Sequence, residues 1–156
     1  VAALVQQVMG DLDQPETLIE AGSDAHHYQL RPSQARSLQE TQLLIWIGPE
    51  LTPWLERVAS GMGHETTSLA LMDLPGTHRQ DFGASAADEH EDEHEAEAEA
   101  EAEAAHDHDH SGLDPHAWLD PGNGQLWLGA IADALSTRDP ENAETYAANA
   151  ARARDD

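Results

Sequence analysis

The chain has 156 residues, with 31 acidic side chains against seven arginines and no lysine, a formal charge of −24. Such a field repels nucleic-acid phosphates and anionic membrane surfaces and attracts cations. Ten histidines add metal-competent imidazoles, and the absence of cysteine excludes disulfides, thiolate zinc fingers and cysteine nucleophiles.

Leu4, Val5 and Val8 recur at helical spacing before Gly10, which predicts a short amphipathic helix with a glycine stop. This opening stretch lacks the basic and long apolar parts of a signal peptide, and no run approaches membrane-spanning length. With Val1 rather than Met at its start, the chain reads as a piece of a longer product, trimmed at one or both ends. Asp11 to Pro15 is a turn, and Glu16 to Ala21, bounded by Pro15 and Gly22, predicts a strand. The polar loop GSDAHHYQLRPS follows, with Ser33 expected to cap a helix through Glu40.

Leu43 to Ile47 (LLIWI) is a continuous apolar run ending at Gly48-Pro49, the pattern of a strand buried on both faces of a parallel sheet. A helix is predicted from Glu50 to Ser60, with Leu51, Trp54, Leu55 and Val58 on one face, and a weaker strand over Thr66 to Leu71. Alternating helices and strands joined by short connections predict an α/β fold, a parallel sheet flanked by helices with ligand loops at the carboxyl ends of its strands.

From Asp88 to Gly112 the chain is almost wholly Asp, Glu, His and Ala, without aromatic or branched aliphatic residues. A disordered acidic, histidine-rich insertion is expected, leaving roughly 130 residues to build a core. Glutamates at every second position place like charges four apart on any helix, which opposes one. Order is expected to resume at Leu113 with LDPHAWLDPGNG, then a helix over Gln125 to Leu135 and another opened by Pro140. The organisation is therefore residues 1–87 and 113–139 as two parts of one lobe, 88–112 as the loop, and 140–156 as a terminal helix.

Two loops carry metal-ligating chemistry. His26 and His27 are adjacent, and neighbouring side chains diverge in an extended loop, so at most one is expected to ligate a given ion. His116 stands between two Asp-Pro steps beside Trp118, a stiff setting suited to a preorganised ligand. Asp114 and Asp120 are candidates to orient that imidazole, because a ligating histidine commonly donates its second ring nitrogen to a carboxylate. Surface histidines in a polar turn, or a proline-punctuated turn before a helix, are the plainer alternatives at these two places. His90, His94, His106, His108 and His110 are expected to offer auxiliary, weak and exchanging sites in the insertion.

GSDAHHYQLRPSQARSLQETQLLIWIGPELTPWLE, followed after the insertion by DPHAWLDPGN, resembles the metal-binding proteins of zinc and manganese ABC importers, specifically the ZnuA-like zinc branch. The resemblance runs over nearly the whole chain and implies one lobe of a two-lobed periplasmic protein, the amino-terminal one. It implies that His26 and His116 are metal ligands, with His27 at the variable position of the loop pattern. It also implies that a His and an acidic residue from a second lobe complete the site, and that residues 140–156 begin the interlobe helix. Ala25 stands where some zinc-specific members have Glu, so no carboxylate is available there. The implied function is zinc capture by a monomer and delivery to an ABC-type membrane permease, with no catalysis and no nucleic-acid partner. A zinc-buffering or manganese-binding protein of the same fold and a zinc-activated hydrolase are the rival functions, the last without a helical HExxH pattern to support it.

Overall fold

A computed structural model describes residues 1–20, 22–63, 66–81 and 112–155. The expected disordered insertion, its five auxiliary histidines included, lies outside the described residues except for Gly112. Five helices and two strands follow in chain order: α1 (Ala2–Met9), α2 (Pro32–Glu40), β1 (Leu43–Trp46), α3 (Pro53–Ser60), β2 (Thr67–Ala70), α4 (Pro121–Arg138) and α5 (Ala143–Asp155). Short 3₁₀ turns stand at Leu71–Asp73, Ala117–Leu119 and Pro140–Asn142.

The two strands run parallel in the register Leu43↔Thr67 through Trp46↔Ala70. Side chains alternate across a strand, and here the alternation divides two apolar clusters. Ile45 and its partner Leu69 pack with α1, α4 and α5 against Val8, Leu71, Met72, Trp127 and Ile131. Leu44 and Trp46 pack on the opposite face against Leu38 of α2 and Leu55 of α3. The sheet is therefore covered on both faces, as the apolar run at Leu43 to Ile47 predicts. Fully burying a side chain such as Leu71 or Met72 contributes about 1.5–3 kcal/mol, which makes the larger cluster the main source of stability.

Several boundaries differ from the sequence expectations for local reasons. Residues 16–20 form no strand, because no neighbouring strand pairs with their backbone. The Leu18 carbonyl instead accepts from Gln34 Nε2 at 2.6 Å, and Glu20 pairs with Arg31 at 2.8 Å. Helix α2 is capped at Arg31 rather than Ser33, with Pro32 in the first helical position, where its missing N–H leaves nothing unsatisfied. Residues 48–52 turn on the Gly48 carbonyl before α3 starts at Pro53. Helix α4 begins four residues before Gln125, because Asp120 accepts the Gly122 N–H at 2.7 Å and Pro121 takes the first helical position.

At the end of α1, Gly10 adopts φ +60°, and a Cβ there would lie 2.8 Å from Asn149 Nδ2. That amide donates to the Val8 carbonyl at 2.9 Å and fastens α1 to α5. No described helix is long and apolar enough to cross a membrane.

Candidate metal centre

The loop before α2 enters through Gly22 at φ +84°, a left-handed conformation that favours glycine. Asp24 organises the following turn: Oδ1 accepts the His26 N–H at 2.9 Å and Oδ2 accepts from His27 Nδ1 at 2.8 Å. The His27 ring, and then the His26 N–H, hold this carboxyl below its ordinary range. Trp54 in the first turn of α3 donates to the Ala25 carbonyl at 2.8 Å, and its ring centroid lies 5.8 Å from that of Tyr28. Gln34 of α2 donates to the Tyr28 hydroxyl at 2.8 Å. The loop is thus pinned by the first turns of two helices, one of which follows the carboxyl end of β1.

The rings of His26 and His27 stand 6.4 Å apart and are tilted by 53°. Asp24 orients His27, whereas the ring nitrogens of His26 make no hydrogen bond among the described residues. His26 is exposed at the loop surface and can turn either nitrogen toward a cation.

The second loop is built more tightly. Asp81 and Leu113 form an antiparallel bridge, and the Asp114 N–H donates to the Gln80 carbonyl at 2.7 Å. Asp114 Oδ1 accepts both the His116 N–H at 2.9 Å and His116 Nδ1 at 2.6 Å. A carboxylate can only accept, so Nδ1 carries the proton and Nε2 is left with the lone pair that a metal requires. The backbone N–H of His116 is the first cause that lowers the Asp114 carboxyl below its usual value, with the ring bond adding to it. Trp118 meets the His116 ring edge to face with centroids 5.0 Å apart, further limiting its rotation.

Asp120 turns to His78, whose Nδ1 lies 2.7 Å from Oδ2, and at the same time caps α4. His78 escapes a reading of the sequence, where it is a lone histidine after a Pro-Gly turn. The buried Asn123 fixes its backbone: Oδ1 accepts the His78 N–H at 2.7 Å, and Nδ2 donates to the carbonyls of His78 at 2.8 Å and Ala117 at 2.9 Å. His78 and His116 consequently line one cavity of about 280 Å³, together with Asp114, Asp120 and Leu119. His26 is not among its lining residues. No group of three or more His, Asp or Glu side chains able to hold a metal ion occurs among the described residues.

A parallel sheet covered on both faces, with imidazole-bearing loops around it, is a fold shared with periplasmic metal-binding proteins. The manganese-bound periplasmic metal-binding protein of Candidatus Liberibacter asiaticus shares this fold with a TM-score of 0.72 at 23% identity, over 99% of the present chain and 48% of that one. The chain belongs to the ZnuA family, zinc-uptake complex component A, periplasmic, whose model matches residues 1–156. It is 64% identical to the high-affinity zinc uptake system protein ZnuA of Paracoccus denitrificans, over 100% of the chain and 51% of that protein. The Brucella abortus protein of the same name is 36% identical over 95% of the chain and 49% of its own length. The chain thus spans about half the length of these curated relatives.

Proposed function

We propose that this chain supplies two imidazole ligands, His26 and His116, to a zinc-capture site that a second lobe completes. Captured zinc is then released to an ABC-type permease from a periplasmic location. The observation that carries this reading is the Asp114 to His116 Nδ1 bond of 2.6 Å, which prepares Nε2 for a cation at a cavity mouth. Agreement with the zinc-uptake relatives over the whole chain supports the same reading. Neutral imidazole is a borderline donor that suits zinc, whereas manganese prefers oxygen-rich octahedral surroundings. The acidic histidine-rich residues beyond Asp88 add weak donors that raise the local cation concentration.

Zinc titration by calorimetry into the complete protein tests this proposal. His26→Ala and His116→Ala should each abolish tight binding, and deletion of residues 88–110 should lower stoichiometry while keeping the tight site. Full affinity in the double variant would overturn the assignment, and loss of all zinc binding on loop deletion would favour a buffering protein. Competition with manganese on the same protein reads the metal preference.

A further inference from the structure

Two imidazoles line the cavity beside α4, and both are held in the same way. His116 Nδ1 is bonded to Asp114 and His78 Nδ1 to Asp120, at 2.6 and 2.7 Å. Each carboxylate fixes the tautomer that leaves Nε2 unprotonated, the arrangement usual for a histidine that ligates a metal. A surface histidine without a role needs no such support. His78 has two further constraints, since its N–H and carbonyl are both clamped by Asn123, and the same amide holds the Ala117 carbonyl next to His116. The two histidines are therefore fixed relative to each other by one buried side chain, although 38 positions separate them in sequence.

The cavity also sits where the acidic segment joins the lobe. Gln80, a lining residue, precedes Asp81, and Asp81 bridges to Leu113 of the returning chain, one residue before Asp114. Both described ends of that segment therefore flank the cavity, the outgoing one beside His78 and the returning one beside His116. Among the described residues no third protein donor joins these two imidazoles, and two imidazoles alone bind a divalent ion weakly, which suits passage and not retention.

We propose that His78 and His116 form a transit site for zinc, at which the ion is held by both imidazoles before His78 lets go and the capture site takes it with His116. This rests on the reading of His116 as a capture ligand. His78 is a ligand of the intermediate only, so its loss slows entry and exit together and leaves the equilibrium affinity alone.

Zinc association and dissociation rates of the complete protein, measured by stopped flow against a chromophoric chelator, provide the test. In His78→Ala both rates should fall about tenfold, the low end of the cost of losing one supporting metal contact, with Kd changed less than about twofold. His78→Gln can keep a hydrogen bond to Asp120 but has no imidazole. It should reproduce the slow rates with the parent's melting temperature, which separates loss of the ligand from loss of the fold. Parental rates in both variants would overturn the transit site. Weaker binding with faster release would overturn it too, by making His78 a ligand of the captured state. Full zinc affinity in His116→Ala would instead sink the underlying capture assignment, whatever His78 does.

Discussion

Replacing Asn123 with Ala removes the side chain that ties residue 78 to residue 117. Asn123 is 2% exposed and makes three hydrogen bonds, accepting one from the His78 N–H and donating one each to the carbonyls of His78 and Ala117. A net contribution of about 1 kcal/mol for each of these three part-buried bonds gives a loss of about 3 kcal/mol. Asn123→Asp sharpens the argument. It keeps the acceptor for the His78 N–H but turns a donor toward two carbonyls into an oxygen, so it should cost at least as much as Ala near neutral pH. Urea unfolding of the complete protein, followed by the fluorescence of the buried Trp127, measures the loss as a shift in midpoint at unchanged slope. The same variants should bind zinc more weakly, because Ala117 no longer anchors the turn that carries His116. A midpoint shift worth less than about 1 kcal/mol, with zinc affinity intact, would show that water replaces the amide without penalty and that the two loops are positioned by other contacts.

Trp54→Phe keeps an aromatic ring beside Tyr28 but deletes the N–H donated to the Ala25 carbonyl, so it should loosen the His26 loop at a cost of about 1 kcal/mol. Zinc titration of that variant should show a severalfold weaker tight site. At the α4–α5 junction, Asp139 accepts from the side chains of Asn142 and Tyr146 at 2.7 and 2.8 Å, and these bonds, Asn142 first, hold its carboxyl below the ordinary value. A carboxyl whose folded value lies below its unfolded one stabilises the fold above the unfolded value, about 3.9, and loses that contribution as pH falls through the folded value. Asp139→Ala should therefore destabilise the protein at neutral pH and flatten the acid limb of its melting-temperature profile, as thermal scans from pH 7 to pH 3 will show.

The parts of the fold that could be read from residues alone are those where a single segment contains its own cause. LLIWI is apolar at every position and is buried from both sides, so its strand is evident without knowing its neighbours. The α4 pattern of Trp127, Leu128, Ile131 and Leu135 marks a helix face for the same reason. Glu16 to Ala21 has strand-like composition, yet a strand exists only where another strand pairs with it, and residues 16–20 find side-chain partners instead. The start of α4 was hidden by Pro-Gly-Asn-Gly, a run that spells a turn until Asp120 caps it and Asn123 is drawn inward. Local propensity lost there to two specific hydrogen-bonding roles.

The metal centre divides along the same line. His116 and Asp114 are two residues apart, so their bond is a property of the local turn, and a carboxylate orienting this imidazole could be expected from the sequence. Asp120 was visible too, but its partner lies 42 residues away, and only the fold discloses that it serves His78. His27, at the variable position of the family pattern, receives the carboxylate of Asp24, while the ring nitrogens of His26 make no hydrogen bond among the described residues. This difference has a physical sense under the proposed function. A ligand already fixed on a rigid loop defines where the ion must come, and a partner ligand that can still rotate lets the ion be gathered as the site closes. On that view His116 sets the position of capture and His26 adapts to it, so tightening the His26 ring with an added carboxylate would slow capture even if it strengthened the final site.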